Sequence, residues 1–506
     1  MSLGIDFGTT RTVVAYADRG NYPVVSFESH TGDWVEWFPS VVAEHNGSLS
    51  FGFDALAVGE EPNARCVRSF KRLLAGAQAS PGGGVTIGSV RITVRDLCER
   101  FLIALRVALQ KRSNLPQAFV RQKPMHAVVA APANAFCTQR FVTLDAFRGA
   151  GFTVLSMLNE PSAAGFEYSH RHARTLNSKR EHVIVYDLGG GTFDASLVHL
   201  RGKRHEVVAT SGLARLGGDD FDRVLAQMVA GESFEALGER ERANLETECR
   251  GAKETLGPSS RKITIDGASA GLSEVTVAVA DYFERCEPLV ASTLEAMKPV
   301  LDRSAGAGFE LTGVAGVYVV GGASSLPVVG RVLRDRFGKR VHRSPYAHAS
   351  VAIGLAIAGD AGSGFELDDR FSRNFGVFRE GRNGEQTTYD PLFTRDMPLP
   401  RSGQPTLSVE RRYRAAHDVG HYRFFECTAF AEDGSPRGDL APILDVRFPF
   451  DTRLRETPDL SRMPVSRIHG LGPQILERYD VGADGLVRLT ITDLDSGYTR
   501  TCALGS

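Results

Sequence analysis

The sequence predicts two α/β lobes related by duplication, followed by a small all-β sandwich domain. Three observations support this fold class. At 506 residues the chain exceeds what one hydrophobic core usually organises. A strand, a glycine turn and a second strand are predicted at residues 3–17 and again at 184–198. Beyond residue 372 strand-like runs alternate with turn residues.

The two copies of the hairpin pattern read LGIDFGTTRTVVAYA and IVYDLGGGTFDASLV. In each copy an apolar run ends at an aspartate, and a second strand-like run leaves the glycine turn. Asp6 aligns with Asp187, and Gly8 aligns with Gly189. One such turn alone is most simply an ordinary β-hairpin, whereas two copies with an aspartate at the same place indicate a duplicated lobe.

Two lobes facing each other across a cleft would bring both turns to one ligand. The segments fit neither GxxxxGK[ST] nor a GxGxxG turn that opens a helix, so the prediction depends on the pair of turns. Glycines expose backbone N–H groups to phosphate oxygens, because no Cβ stands in the way. Asp6 and Asp187 suit a hydrated Mg²⁺, which takes one or two carboxylates together with phosphates and waters. We therefore predict a site for ATP with magnesium.

Composition and charge exclude several classes of protein. The formal net charge is −1, with no basic excess for a nucleic-acid partner. Seven cysteines show no CxxC or Cys/His spacing, which argues against a zinc site or a disulfide framework. The N-terminus has no basic segment followed by an apolar one, and no stretch of 18 apolar residues occurs. We expect a cytoplasmic protein with no membrane partner.

Five motifs, in order, resemble the Hsp70 (DnaK-like) chaperone family. They are IDFGTT at 5–10, NEPSAAGFEY at 159–168, DLGGGTFD at 187–194, ARLGGDDFD at 214–222 and VVGGASSLP at 319–327. The resemblance covers about residues 1–360. It implies a nucleotide-binding domain at 1–361 with the duplicated RNase H-like, actin-like ATPase fold, which binds ATP or ADP with Mg²⁺ and hydrolyses ATP.

The resemblance also implies roles for individual residues. The catalytic set is Lys71, Glu160, Asp187, Thr192 and Asp194. The nucleotide-binding set is Asp6, Gly8, Thr9, Thr10, Gly189, Gly190, Gly191, Gly217, Gly218, Lys253, Gly321 and Gly322. Asp6 and Asp187 would hold the metal through water, and Lys71 of SFKRLLAG would reach the γ-phosphate. By its own local sequence, Lys71 is instead expected to be a solvated surface lysine.

The resemblance also implies a role for two further residues, a proline and an arginine through which the family transmits the state of the bound nucleotide from one lobe to the other and to the linker. They are Pro132 and Arg140 in the segment AAPANAFCTQR. A proline that simply ends a strand explains Pro132 equally well.

The adenine side departs from the family pattern. Arg250 stands where a glutamate is usual, Glu254 where an arginine often stacks on the base, Gly257 where a serine bonds the ribose, and Ser325 where an arginine is common. Since Arg250 and Glu254 lie four apart on a predicted helix, we expect them to pair with each other. Arg11, directly after the threonines, is expected to point to solvent; a bidentate phosphate contact is the alternative.

Residues 362–371 form the predicted linker. Its apolar residues are Phe365, Leu367 and Phe371, interrupted by acids and an arginine. We therefore expect docking of the linker on the first domain to be weak, or to use contacts other than the apolar ones that the resemblance implies.

Residues 372–506 are predicted to be the sandwich domain. Within them RYDVGADGLVRLTITD resembles the segment that closes the family's peptide-binding sandwich. We expect the protein to lack the family's helical lid, because no segment resembling it follows the predicted sandwich in this sequence.

The leading prediction is an Hsp70-like chaperone without the lid, which hydrolyses ATP to control binding of unfolded or extended polypeptide. The resemblance implies a J-domain protein and a nucleotide exchange factor as partners. The alternative is a nucleotide-dependent interaction module with weak ATPase activity and one dedicated protein partner. A sugar kinase or an actin-like filament is disfavoured, because Lys71 and the terminal sandwich would have no role there.

Overall fold

A computed structural model describes residues 1–504 except 62, 77–82, 173–179, 307–313, 396, 402 and 458. The chain is mixed α/β up to about residue 370 and β-rich beyond it. In the described part of the chain, no helix is both long enough and apolar enough to cross a membrane.

The first lobe comprises residues 3–172. Its strands are β1 (Leu3–Phe7), β2 (Arg11–Tyr16), β3 (Phe27–Glu28), β4 (Trp34–Val35), β5 (Phe38–Pro39), β6 (Val41–His45), β7 (Ser48–Phe51), β8 (Arg65–Arg68), β9 (Gly84–Ile87), β10 (Val90–Thr93), β11 (Met125–Ala131) and β12 (Phe152–Asn159). Its helices are α1 (Phe53–Val58), α2 (Val94–Lys111), α3 (Gln117–Val120), α4 (Cys137–Gly149) and α5 (Glu160–His172). The main sheet has the strand order β12-β11-β1-β2-β5.

The second lobe comprises the described residues from 180 to 368. Its strands are β13 (His182–Leu188), β14 (Phe193–Arg201), β15 (Arg204–Leu213), β16 (Lys262–Ile265), β17 (Val275–Ala278), β18 (Val314–Val320), β19 (Val341–Arg343) and β20 (Glu366–Asp368). Its helices are α6 (Gly218–Ala230), α7 (Glu239–Glu254), α8 (Val279–Ala296), α9 (Lys298–Gly306), α10 (Pro327–Phe337) and α11 (Ser350–Gly359). The main sheet has the order β19-β18-β13-β14-β15-β20.

The two main sheets share a local topology. In the first, β1 pairs antiparallel with β2 and parallel with β11; in the second, β13 pairs antiparallel with β14 and parallel with β18. Every residue of β13 is buried, as expected of a central strand covered on both faces. The two glycine turns therefore leave equivalent strands at equivalent ends of the two sheets.

Helix α11 packs closely on the first lobe, because two glycines let backbones approach closely. A Cβ on Gly354 would lie 1.8 Å from the carbonyl oxygen of Ala163 in α5, and one on Gly4 would lie 2.3 Å from that of Ala352. No larger side chain fits at either place without displacing backbone. The sheet of the first lobe and the helix α5 are thus held against one common helix.

The C-terminal region forms two four-stranded antiparallel sheets around one apolar core. Its strands are β21 (Asn374–Gly381), β22 (Gln386–Phe393), β23 (Leu407–Arg414), β24 (Val419–Cys427), β25 (Ala429–Phe430), β26 (Pro436–Arg437), β27 (Ala441–Pro449), β28 (Gln474–Val481), β29 (Val487–Asp493) and β30 (Thr499–Ala503). The sheets have the orders β22-β21-β24-β27 and β23-β28-β29-β30. Phe375 and Phe424 of one sheet share a core cluster with Tyr479 and Leu489 of the other, and β29 alternates buried and half-buried residues.

Part of the predicted linker forms a strand that docks through charged contacts. Strand β20 extends the second sheet by pairing in parallel with β15. The Asp368 carboxylate accepts a hydrogen bond from Arg204 Nε at 2.5 Å and pairs with Arg401 Nη2 at 2.6 Å. Arg401 also pairs with Glu366 at 2.6 Å. The linker therefore docks, both through these acids and through Phe365, whose ring lies 5.5 Å from the rings of Phe166 and His205.

The sandwich also contacts the first lobe directly. The Glu426 side chain accepts a hydrogen bond from the backbone N–H of Cys137 at 3.0 Å. Arg140 donates to the side-chain oxygen of Asn159 at 2.9 Å, and the Asn159 amide donates to both Asp369 oxygens at 2.8 and 2.9 Å. A chain of hydrogen bonds thus runs from helix α4 to the linker.

Candidate functional site

A cavity of about 400 Å³ lies between the two glycine turns. Most residues of the predicted site line it: Asp6, Gly8, Thr9, Thr10, Lys71, Glu160, Asp187, Gly189, Gly190, Gly218, Lys253, Gly321 and Gly322. Gly191, Thr192, Asp194 and Gly217 do not line it. Asp194 lies directly opposite Asp187 in the pairing of β14 with β13.

The glycine turns of the two lobes touch each other. A Cβ on Gly190 would lie 2.5 Å from the Thr10 side chain, and one on Gly191 would lie 2.7 Å from that of Thr9. A Cβ on Gly217 would lie 2.5 Å from the backbone nitrogen of Gly191. These distances are shorter than any side chain tolerates, so the glycines allow the second turn to meet both the first turn and the start of helix α6.

Backbone hydrogen bonds hold the second turn in place. The Gly189 N–H donates to the carbonyl oxygen of Thr192 at 3.0 Å, which closes the hairpin. The N–H groups of Gly218 and Asp219, at the start of α6, donate to the carbonyl oxygens of Gly189 and Gly190, each at 2.9 Å. The turn is therefore fixed on the side away from the first lobe.

Lys71 is buried, with 6% of its surface exposed, and its local sequence alone predicted the opposite. It lies on a short 3₁₀ helix, Phe70–Ala75, whose Phe70 and Leu74 insert into the core of the first lobe. Because these two side chains point into the core, the lysine between them is carried to the cleft. There its Nζ lies 3.1 Å from Glu160 Oε1 and 5.5 Å from the centre of the Phe7 ring.

Four carboxylates lie around this lysine: Glu160, Asp187 and Asp194 are buried and Asp6 is half-buried, and the pKa values of the three aspartates show the cost of crowding. Burial, together with the charge of Glu160, raises the pKa of Asp6 to about 7 although Lys71 lowers it. Burial and the same glutamate raise the pKa of Asp187 and of Asp194 well above the ordinary value. Burial would lower the pKa of Lys71, but the charges of Glu160 and Asp6 raise it overall.

The donor set fits a hydrated divalent cation rather than a directly bound one. Four acids beside one lysine cannot all be charged without cost, as the raised pKa values of the three aspartates show, and a cation would favour their charged forms. No cluster of three or more His, Cys, Asp or Glu side chains within the described residues is placed to bind a metal ion directly. Magnesium keeps several waters and binds proteins through one or two carboxylates, so Asp6 and Asp187 fit it through water.

The expected pairing between Arg250 and Glu254 is wrong. Arg250 donates to Asp219 at 2.8 Å and to Asp222 at 2.9 Å, because helix α6 presents these two acids to α7. Lys253 shares Asp222, at 2.5 Å, and donates to the carbonyl oxygen of Gly218 at 2.8 Å. Arg250 and Lys253 therefore tie α7 to α6 on one side of the cavity.

The expectation that Arg11 points to solvent is wrong. Its Nη2 lies 2.5 Å from Glu254 Oε2 of the other lobe, and its guanidinium lies 4.2 Å from the centre of the Trp37 ring. Glu254 ends helix α7 and faces the cleft, whereas Arg250, one turn earlier, faces α6. The two departures from the family pattern are thus partners of each other.

Several cleft residues were not identified from the sequence. Arg72 bridges the lobes by donating to the carbonyl oxygen of Gly191 at 3.1 Å and to Asp220 at 3.2 Å. Trp37 and His348 line the cavity. No local sequence pattern marks Arg72, Trp37 or His348 as cleft residues. The pairing of Arg11 with Glu254 could have been inferred, because two positions that depart from the family pattern carry opposite charges. Ser325, at the rim, donates to the carbonyl oxygen of Gly322 at 2.7 Å.

Pro132 directly follows strand β11, and its carbonyl oxygen accepts a hydrogen bond from the N–H of Ala135 at 3.0 Å. This position fits a proline that ends a strand. A relay through Pro132 stays a prediction.

Comparisons with known proteins agree on one family. A family model described as "Hsp70 protein" matches residues 2–372. The chain is 33% identical over 372 residues to the chaperone protein HscA homolog of Bordetella pertussis. That alignment covers 71% of this chain and 57% of the relative, so the chain spans little more than half of that protein's length.

Proposed function

The chain belongs to the Hsp70 family, and on that premise we propose that it is a chaperone that binds and hydrolyses Mg·ATP to control its affinity for unfolded or extended polypeptide. Residues 1–361 would bind the nucleotide in a duplicated RNase H-like fold, 362–371 would link the domains, and 372–506 would bind polypeptide. The observation that carries the proposal is Lys71, buried beside Glu160 where the two glycine turns meet.

In this proposal the turns bind phosphate. Backbone N–H groups at Gly8 and in the turn at 189–191, with the hydroxyls of Thr9 and Thr10, would hold the phosphate oxygens. A bound magnesium ion would neutralise charge on the phosphates, and Asp6 and Asp187 would hold its waters. The crowded acids fit this arrangement, because neutralisation removes the cost that raises their pKa values.

Hydrolysis would depend on the groups deeper in the cleft. Lys71 would orient the attacking water and stabilise the charge that develops on the transferred phosphoryl group. Glu160, 3.1 Å away, holds the ammonium group in one position. Thr192, at the end of the second turn, and Asp194, on strand β14, would position the water from the opposite lobe.

The test is whether nucleotide changes polypeptide affinity in general. We expect dissociation constants for a panel of unrelated extended peptides, measured by fluorescence anisotropy, to differ by at least about fivefold between ATP and ADP. Identical affinities with both nucleotides across the panel, in a protein that hydrolyses ATP, would reject the chaperone proposal and keep the ATPase. A J-domain protein and an exchange factor belong to the same proposal and would be tested as stimulators of this cycle.

A second candidate is a nucleotide-dependent module for one dedicated partner, and the interior of the sandwich favours it. Glu477 is fully buried there, pairs with Arg379 at 2.7 Å, and accepts hydrogen bonds from the hydroxyls of Tyr413 and Tyr479. Arg379 also pairs with Asp390 at 2.6 Å. A sandwich with a polar network inside is less suited to general recognition of apolar segments. This candidate predicts that most of the peptide panel does not bind.

A further inference from the structure

One ion pair connects the two lobes at the rim of the cleft. Arg11 begins strand β2 in the first lobe, and Glu254 ends helix α7 in the second. Their side chains approach to 2.5 Å and both line the cavity. They are 30% and 43% exposed, whereas the pair of Lys71 and Glu160 on the floor is 7% and 11% exposed. The outer pair therefore spans the opening of the cavity.

The first lobe supports this pair from behind. The Arg11 guanidinium lies 4.2 Å from the centre of the Trp37 ring, a geometry in which ring and cation attract each other. Next to Trp37, Glu36 lies 3.2 Å from His348, which lines the cavity on the other side. Arg11 is thus held by the ring below it and by the carboxylate across the opening.

We propose that Arg11 and Glu254, with Trp37 as a support, form a latch across the rim of the cleft that slows release of the bound nucleotide. The identity of the ligand as a nucleotide rests on the proposed function. A ligand held between the two glycine turns has to pass this rim to leave. Opening the rim requires breaking the ion pair, so the latch acts on the dissociation rate.

The dissociation rates of single and double variants distinguish a latch role of Arg11 from a role in direct phosphate binding. If the pair is a latch, Arg11→Ala and Glu254→Ala each raise the dissociation rate about fivefold, because each breaks the same interaction. Combining them adds little. The exchanged pair, Arg11→Glu with Glu254→Arg, restores slow release in part, because it keeps the ion pair but loses the attraction of the cation to the Trp37 ring. If Arg11 instead binds phosphate, Glu254→Ala leaves release unchanged or slows it, since the arginine is freed for the ligand.

The experiment is a chase of a fluorescent ADP analogue from the full chain with magnesium, followed by stopped flow. The matched control is Arg331→Ala, which breaks a surface ion pair of 2.6 Å with Glu287 inside the second lobe. The control is expected to release the analogue at the wild-type rate. Unchanged release in Glu254→Ala would overturn the latch while leaving nucleotide binding intact.

A second readout keeps the two proposals separable. If wild-type protein fails to bind the analogue, the proposed function fails. Hydrogen exchange at residues 8–10 and 189–191 then tests the latch alone. Faster exchange in Arg11→Ala and Glu254→Ala than in Arg331→Ala supports it, and equal exchange in all three rejects it.

Discussion

The cleft between the lobes and the docked linker are both rich in charge, but they balance it differently. Among the described residues, Lys71 is the one cation that acts on Asp6, Asp187 and Asp194 and it pairs with Glu160; all of these are buried except Asp6, which is half-buried. At the linker, each of the acids Glu206, Glu366 and Asp368 pairs with at least one arginine. Glu366 and Asp368 meet Arg204 and Arg401, Glu206 pairs with Arg370, and Asp369 is bonded by Asn159.

This difference separates a ligand site from a docking surface. Buried acids without matching cations are costly in their charged forms, so they take up protons, as their raised pKa values show, unless a cation binds beside them. Matched pairs at a half-exposed surface are inexpensive, contribute little each, and weaken in salt. The unbalanced region is therefore expected to respond to removal of single charges far more than the balanced one.

The largest expected effect is loss of the single cation of the cleft floor. Lys71→Ala should reduce single-turnover ATP hydrolysis about 100-fold, because it removes the donor that stabilises the developing charge. The measurement is release of labelled phosphate from a preformed complex. Lys298→Ala, which removes an exposed lysine paired with Glu295, is the matched control and should hydrolyse normally. Wild-type hydrolysis in Lys71→Ala would reject the assignment of this floor as the reaction site.

Removing one cleft acid should weaken the response of hydrolysis to magnesium and should stabilise the metal-free protein. Asp187→Asn should raise the magnesium concentration needed for half-maximal hydrolysis about tenfold or more. The same change should raise the melting temperature in chelator, since the remaining acids repel one another less. The control is Asp335→Asn at an exposed position. A melting temperature in chelator that falls would show that the four acids are balanced by contacts within the protein.

His205 supplies a prediction about pH at the apolar part of the linker interface. It is fully buried, its ring lies 4.6 Å from that of Phe166 and 5.5 Å from that of Phe365, and neither ring nitrogen has a hydrogen-bond partner among the described residues. Burial lowers its pKa to about 3. The folded state therefore excludes the protonated ring.

The stability that His205 contributes is complete above the unfolded pKa of about 6.5 and is lost as the pH falls toward 3. The free energy of unfolding should drop by up to about 1.4 kcal/mol for each pH unit in that window. Denaturant titrations of wild type and His205→Leu between pH 7 and 5 measure this slope. Parallel pH profiles for the two proteins would mean that the ring is solvated or paired in the fold.

The smallest effect is expected at the balanced region. Asp368→Asn breaks contacts to Arg204 and Arg401 together and should lower the ratio of docked to undocked linker about fivefold. Fluorescence energy transfer between labels on the first lobe and the sandwich reports docking. Raising sodium chloride from 0.05 to 0.5 M should weaken docking in the wild type, and less so in Asp368→Asn, which keeps the pairs of Glu366 with Arg401 and of Glu206 with Arg370. Asp459→Asn, at an exposed pair with Arg462, is the control, and salt-independent docking would show that apolar contacts dominate.

Local sequence patterns predicted the hairpins of the two lobes and the strands of the C-terminal region. The two hairpins are visible in the sequence because an apolar run that ends in an aspartate and glycines encodes a buried strand followed by a tight turn. The alignment of Asp6 with Asp187 followed from that repeat, and both line the cleft. The strands beyond residue 372 were predicted for the same reason, since alternation and turn residues act over a few neighbours.

Ion pairs between residues far apart in the sequence could not be predicted from local patterns. Arg11 and Glu254 are separated by 243 positions, and Arg204 and Asp368 by 164. Neighbouring residues encode the hairpins, their glycines and the acids at the ends of their first strands, so these features were predictable from the chain alone. Which cation meets which acid, and the burial of Lys71 against its local sequence, follow from the folded state, because charge pairing depends on which surfaces the lobes and linker bring within a few ångströms.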